Sequence, residues 1–212
     1  MDNIIIIKSP YEKHRSQITE ILNKKYPNGI GAEIGVFKGE FSKKILEKWN
    51  CSKYYLIDLW SNDLTNNNSI QYDEDWAKDN KNHNINYVKT QENIKKYKNR
   101  VKIIRNYSHL AAKEIDNESI DFIYLDANHS YEGMKNDLIN WYPKLKKGGL
   151  IMGDDYHIQN EEILFGSLFG VTKAVKEFCN TINKTYSIEY IGDWYYQRDN
   201  KLYPSRNWYF IK

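Results

Sequence analysis

The chain has 212 residues, enough for one α/β domain with a full core and too few to require two. Hydrophobic residues make up 41% and charged residues 28%, the balance of a globular chain, and no apolar stretch approaches the length of a membrane span. The formal net charge of +3 is mild, and the Lys residues are scattered among acids, which speaks against a nucleic-acid surface. The densest basic run, Lys95, Lys96, Lys98, Arg100 and Lys102, is expected to be a solvated helix face. Cys51 and Cys179 stand far apart without a CxxC or Cys/His cluster, so zinc is not expected and free thiols in a reducing, cytoplasmic setting are. Ile4–Ile7 is too short for a signal-peptide core and follows an acid.

In chain order, Ser9 to Tyr26 has helical spacing, with Ile18, Ile21 and Leu22 on one face, and Pro27-Asn28-Gly29 ends it. Residues 1–28 are expected as an N-terminal helical cap. Ile30 to Val36 reads as a buried strand, Gly39 to Trp49 as a helix, and Lys53 to Asp58 (KYYLID) as a second strand. Ser61 to Ser69 (SNDLTNNNS) is a polar loop, and Ile70 to Arg100 is expected to be helical in two pieces; residues 61–100 together form an insert suited to a lid. Val101 to Ile104 is a third strand, Ser108 to Ile115 a helix, and Ile120 to Asp126 (IDFIYLD) a fourth strand. Glu132 to Tyr142 is a helix stopped by Pro143, and Gly149 to Asp154 (GLIMGD) a fifth strand. Ser167 to Asn180 reads as a helix, and Ser187 to Ile191 and Asn207 to Ile211 as closing strands.

This alternation predicts a single α/β domain over 1–212, doubly wound. Its mostly parallel seven-stranded sheet should carry helices on both faces and an antiparallel edge hairpin from the last two strands. In such open sheets ligands bind beyond the carboxyl ends of the strands, so the residues that end strands are the ones to inspect.

The first strand runs into Glu33-Ile34-Gly35-Val36-Phe37-Lys38-Gly39. A glycine there permits a tight turn and a close backbone approach to a ligand. The E-x-G-x-x-x-G spacing lacks the G-x-G-x-x-G of a pyrophosphate cradle, which argues for a nucleoside without phosphates; a purely structural turn is the alternative. Asp58 ends the second strand, roughly twenty residues past the loop, where doubly wound folds place a ribose-binding acid; a cap or loop acid is the alternative. Trp60 follows and is read either as a ligand-packing ring or as core.

The fourth strand ends on Asp126, with His129 three residues on, and the fifth ends on Asp154-Asp155, with His157 beyond. Neighbouring fourth and fifth strands would bring Asp126, Asp154 and Asp155 to one rim. Three carboxylates raise one another's pKa unless a counter-charge joins them, and an all-oxygen set suits Mg²⁺. The alternative is a set of solvated loop acids. His129 is a candidate general base for a hydroxyl whose pKa a metal depresses, and His157 a weaker one.

Together these residues resemble the class I S-adenosylmethionine-dependent methyltransferases, which are Rossmann-like. The likeness is nearest to the metal-dependent O-methyltransferase branch that holds the macrocin and mycinamicin sugar O-methyltransferases. It runs from Ile30 to Phe178 and is most specific over Asp121 to Asp155 (DFIYLDANHSYEGMKNDLINWYPKLKKGGLIMGDD). The resemblance implies S-adenosylmethionine and Mg²⁺ as cofactors. Glu33 and Gly35 would lie at the methionine end, Asp58 and Trp60 by the ribose, Ser108 near the adenine and Asp126 beside the cofactor. Asp126, Asp154 and Asp155 would be metal ligands, with His129 and Asp126 catalytic. Asn106 stands where many relatives carry glycine, a departure that bears on the adenine contact.

The implied partner is a small acceptor with hydroxyl groups, a sugar or another vicinal diol such as a catechol, and neither nucleic acid nor membrane. A homo-oligomer is compatible with the aromatic segments Trp194–Tyr196 and Trp208–Phe210, which are read as edge-strand core or interface. Three other readings stand beside this one. Some relatives are hydroxylases of antibiotic intermediates, so the fold does not fix the reaction. A base methyltransferase would show an Asn/Asp-Pro-Pro-aromatic tetrapeptide, which is absent. A non-catalytic binder would have no use for the three acids.

Overall fold

A computed structural model describes residues 4–7, 18–61, 80–157, 160, 162–164, 167–198 and 201–212. Among these residues the strands are β1 (Ile4–Ile7), β2 (Ile30–Ile34), β3 (Lys53–Asp58), β4 (Val101–Arg105), β5 (Ile120–Leu125), β6 (Leu145–Gly153), β7 (Glu162–Leu164), β8 (Ser167–Phe169), β9 (Tyr186–Arg198) and β10 (Lys201–Ile211). The helices are α1 (Thr19–Lys25), α2 (Glu40–Lys48), α3 (Asn80–Ile94), α4 (Ser108–Ala111), α5 (Tyr131–Trp141) and α6 (Val171–Thr181).

The main sheet runs β1-β9-β10-β6-β5-β2-β3-β4. Strands β4, β3, β2, β5 and β6 are mutually parallel, and β10 is antiparallel to both β6 and β9. This is the expected seven-stranded sheet with its antiparallel hairpin. An eighth strand, β1, adds parallel to β9 at the hairpin edge, with Ile4 opposite Tyr186. The N-terminal cap is therefore part strand; of the expected helix, residues 18–26 are described, and Thr19–Lys25 of them form α1. Residues 62–79, which hold the rest of the polar loop and the first stretch of the expected helical insert, lie outside them.

The two-residue period of the strands sorts the core into two layers. On one face, Ala32, Ile34, Ile123, Leu125 and Ile151 meet Met134, Leu138 and Trp141 of α5 and Val171, Ala174, Val175 and Cys179 of α6. On the other, Tyr54, Leu56, Phe122 and Tyr124 meet Leu22 of α1 and Phe41, Ile45 and Leu46 of α2. Each such large apolar side chain contributes roughly 1.5–3 kcal/mol on burial. Trp208 and Phe210 of β10 are buried, so that aromatic segment is core. Trp208 sits against Gly153, where an added Cβ would lie 2.5 Å from its ring.

Three local expectations change. Ser167–Phe169 is not the start of a helix but β8, paired with β7. Gly170, which takes the chain to within 2.5 Å of the Tyr131 backbone nitrogen (measured from an added Cβ), separates it from α6. Arg100 leaves the solvated run: its guanidinium donates to the carbonyls of Leu46, Trp49 (2.8 Å) and Cys51 (3.3 Å), closing the end of α2. Lys95, Lys96 and Lys98 remain exposed, on a 3₁₀ turn. No helix among the described residues is long and apolar enough to cross a membrane.

Candidate active site

A cavity of about 440 Å³ opens at the carboxyl ends of β2, β3, β4 and β5, bordered by Gly35, Asp58, Ser108, Asp126, His129 and Asp137 among others. Its size is that of a small-molecule site. The strand ends converge there because parallel strands of one sheet finish on the same side.

Gly35 has φ +89, and a Cβ on it would stand 1.9 Å from the carbonyl oxygen of Asp126. Only glycine lets the turn after β2 lie against the turn after β5, an approach held by Asp126 N donating to Ile34 O at 2.8 Å. Asp58 organises the same turn from the side. Its Oδ2 accepts from the backbone N–H groups of Val36 (2.9 Å) and Phe37 (2.8 Å), and its Oδ1 accepts from Trp60 N (3.0 Å). Asp58 borders the cavity as expected for a ribose acid, and part of its acceptor capacity already serves the loop. Glu33 also borders it; its buried carboxylate accepts from Ser42 Oγ (2.8 Å) and Tyr54 OH (3.4 Å). Burial, then the Glu33 charge, pushes the Tyr54 hydroxyl well above its ordinary pKa.

Trp60 is 1% exposed, and its indole N–H donates to Phe37 O at 2.7 Å. Its ring meets Tyr87 of α3 at 5.1 Å. Trp60 borders the cavity and ties the loop to the helix. Helix α3 adds Thr90 Oγ1 to the same Phe37 oxygen (3.1 Å) and Asn93 Nδ2 to Lys38 O (2.9 Å). Those two contacts had no signature in a polar helix.

Ser108 opens α4 after β4, and its hydroxyl donates to the carboxyl of Asp137 on α5 while accepting from Trp141 Nε1 at 2.8 Å. Asp137 is buried, and burial pushes its carboxyl up to about 7, against the pull of Ser108. Sequence reading passed over Asp137, since an acid within an amphipathic helix reads as solvated.

Asp126, His129 and Asp155 offer one ligand atom each within 4.8 Å of one another. His129 Nε2 lies 2.9 Å from Asp155 Oδ2 and 3.5 Å from Asp126 Oδ1. The His129 ring stacks on Phe169 of β8 at 4.8 Å, and its carbonyl accepts from Gly170 N. Asp154, expected as a third member, is absent from this group: it is buried and accepts from Asn207 Nδ2 of β10 at 2.7 Å. Neighbouring residues in an extended chain point to opposite sides, and Asp155 is turned further by a left-handed backbone, φ +57. A non-glycine residue held there is a strain that the surrounding structure must impose. His157 is buried, with Nε2 3.9 Å from Asp155 Oδ1.

The family model described as "Methyltransferase domain" matches residues 32–156, more than half of the chain. The chain belongs to the methyltransferase-domain family. Among solved structures it is similar to an S-adenosylmethionine-dependent O-methyltransferase from Thermotoga maritima, at 14% identity and TM-score 0.52, covering 98% of this chain and 67% of that one. It is similar also to precorrin 8w decarboxylase from Methanobacterium thermoautotrophicum, at 16% identity and TM-score 0.57, covering 96% and 95%. A third is an rRNA methylase from Streptococcus thermophilus, at 13% identity and TM-score 0.57, covering 98% and 99%. At these identities the likeness is one of fold. No curated protein matches the chain. The methyltransferase is an enzyme that uses S-adenosylmethionine, and its matched segment holds the glycine loop, Asp58, Ser108, Asp137 and the Asp126–His129–Asp155 group.

Proposed function

We propose that this methyltransferase is a metal-assisted O-methyltransferase acting on a small acceptor with adjacent hydroxyls, a sugar or sugar-containing metabolite of the kind used by the macrocin and mycinamicin enzymes. The observation that carries the reading is the Asp126–His129–Asp155 group at the rim of the cavity. The donor set fits a divalent cation. The three side chains bring their candidate ligand atoms within 4.8 Å of one another, a cluster compact enough to surround one cation. Asp126 and Asp155 would hold the ion, with Asp154 as the neighbouring reserve ligand if Asn207 released it. A bound divalent ion supplies a lowered pKa for a coordinated acceptor hydroxyl.

The rest is done by the chain. The glycine loop and Asp58 would hold the nucleoside of the cofactor beside the rim. His129 takes the hydroxyl proton, and Asp155 and Asp126 stabilise the imidazolium that results. S-adenosylmethionine, when bound, would supply an already activated methyl, and aligning the acceptor oxygen with it would provide most of the acceleration.

The same geometry favours a second reading of one residue. His129 is itself within ligand distance, and a mixed nitrogen and oxygen set suits Mn²⁺ or Zn²⁺ better than Mg²⁺. Calorimetric titration of S-adenosylhomocysteine with and without Mg²⁺, Mn²⁺ or Zn²⁺, followed by assays on sugar and diol acceptors, tests both. Binding with metal-dependent methylation of a hydroxyl is expected. Full turnover in a chelator removes the metal, and a preference for Mn²⁺ or Zn²⁺ that His129→Ala abolishes makes His129 a ligand.

A further inference from the structure

The stretch Ser167-Leu168-Phe169-Gly170-Val171-Thr172 lies beyond residues 32–156, which the family model matches. Its strand part alternates: Leu168 is exposed, whereas Phe169 is only 6% exposed. Phe169 lays its ring on the imidazole of His129, with centroids 4.8 Å apart and planes 16° from parallel. Gly170 N donates to His129 O at 2.8 Å, an approach open to glycine because an added Cβ would stand 2.5 Å from Tyr131 N. Thr172 is buried, and its one hydroxyl accepts from His157 N (2.8 Å) and donates to His157 O (2.9 Å). The Phe169 ring also meets the His157 ring edge-on at 5.6 Å. Residues 169–172 thus bracket two turns: the one after β5, with Asp126 and His129, and the one after β6, with Asp155 and His157.

The bracket meets a need of the imidazole. The torsion that turns a histidine ring about its Cβ–Cγ bond is broad and roughly two-fold, so the side chain by itself leaves the direction of Nε2 open. To face Asp155 Oδ2 at 2.9 Å and Asp126 Oδ1 at 3.5 Å, the ring has to keep one plane and one of two flips. The carboxylates choose the flip, because the other would turn a ring carbon toward them. They constrain the plane less, since Coulomb attraction depends on distance rather than on angle. A parallel aromatic neighbour constrains the plane directly, because a tilted imidazole would drive its edge into a close-packed ring. His129 borders the cavity and Phe169 does not, so the support comes from outside the space a ligand would fill. We propose that Phe169 is a positioning residue for His129, holding the imidazole in the plane that presents Nε2 to Asp126 and Asp155. The inference rests on the reading of His129 as the group that takes the acceptor proton, and it adds what keeps that group aimed.

The test is NMR relaxation of ring-labelled histidine in the full chain, which needs neither acceptor nor metal. Among the five histidines, the His129 signal is the one lost in His129→Gln. Wild-type His129 is expected to be as rigid as ordered backbone, with an order parameter of about 0.85, and Phe169→Leu to lower it below about 0.6. Phe169→Tyr keeps the ring and should restore the wild-type value. S-adenosylhomocysteine affinity, measured by calorimetry, should be alike in all three proteins. An unchanged order parameter in Phe169→Leu overturns the proposal, as does a wild-type value already below about 0.6. A general loosening, in which Phe169→Tyr fails to restore His129 or ligand affinity falls along with rigidity, overturns it too. Should Phe169→Leu not fold, Phe169→Met, a flexible filler of the same space, takes its place with the same expectation. A wild type that binds no S-adenosylhomocysteine overturns the cofactor reading, and this role with it, whatever the order parameters show.

Discussion

The two ends of the cavity are built differently. At the glycine-loop end the parts are tied by backbone. Asp58 gathers three main-chain N–H groups, Trp60 and Thr90 donate to one main-chain oxygen, and Gly35 lets two turns touch. At the rim the parts are side chains from the two turns after β5 and β6, Asp126 and His129 from the first and Asp155 from the second, meeting each other directly, Asp155 on a left-handed backbone. The first arrangement preorganises a shape. The second gathers charge that has to be answered by a proton on His129 or by a cation. Damage at one end should therefore read out in binding, and damage at the other in turnover.

The largest separation is expected from Asp126→Asn or Asp155→Asn, which should lower methyl transfer by about a thousandfold, several kcal/mol of barrier. S-adenosylhomocysteine affinity should stay within threefold, as calorimetry would show; full activity in both variants would misplace the metal. Next in size is a stability effect at Asp137, at the edge of the cavity. The Asp137 carboxyl is raised from 3.8 to about 7 in the folded chain, so the folded state holds that proton more tightly than the unfolded one. Its penalty is absent below about pH 4 and grows as pH rises to about 7, reaching at most about 4 kcal/mol. Urea midpoints of the wild type and Asp137→Asn should accordingly diverge in favour of the variant between pH 5 and 8. Parallel curves would refute the buried charge.

His129→Ala should cost about a hundredfold in turnover with cofactor affinity unchanged, and single-turnover rates across pH would reveal it. An unchanged rate at every pH removes His129 as base. The smallest effect sharpens the comparison from the other side. Asp58→Ala should weaken S-adenosylhomocysteine by roughly 1–3 kcal/mol, while the rate at saturating cofactor falls much less. Unchanged affinity would move the ribose elsewhere.

Much of the glycine-loop end was legible in the chain itself. A glycine at a strand end, a second glycine four residues on and an acid closing the next strand are local patterns, and the elements carrying them form where hydrophobic periodicity places them. The rim was legible only as a set of candidates. Asp154 and Asp155 are adjacent in sequence, and nothing local says that Asn207 of β10 claims the first while the second turns to His129. Phe169, read as helical, lies on a short strand paired with β7, and its ring stacks on His129.

What the sequence alone determined about this protein is its alternation of strand and helix, hence a parallel sheet wound on both faces, and the residue types waiting at its carboxyl edge. Only the tertiary structure decided which of them meet. Arg100 became a helix plug, Trp60 a core clasp, Asp137 a buried acid and β1 an eighth strand. The reason is one of range. Periodicity and turn chemistry act over a few residues, whereas the partners of Asp137, Asp154 and Arg100 stand 29, 53 and 54 residues away along the chain.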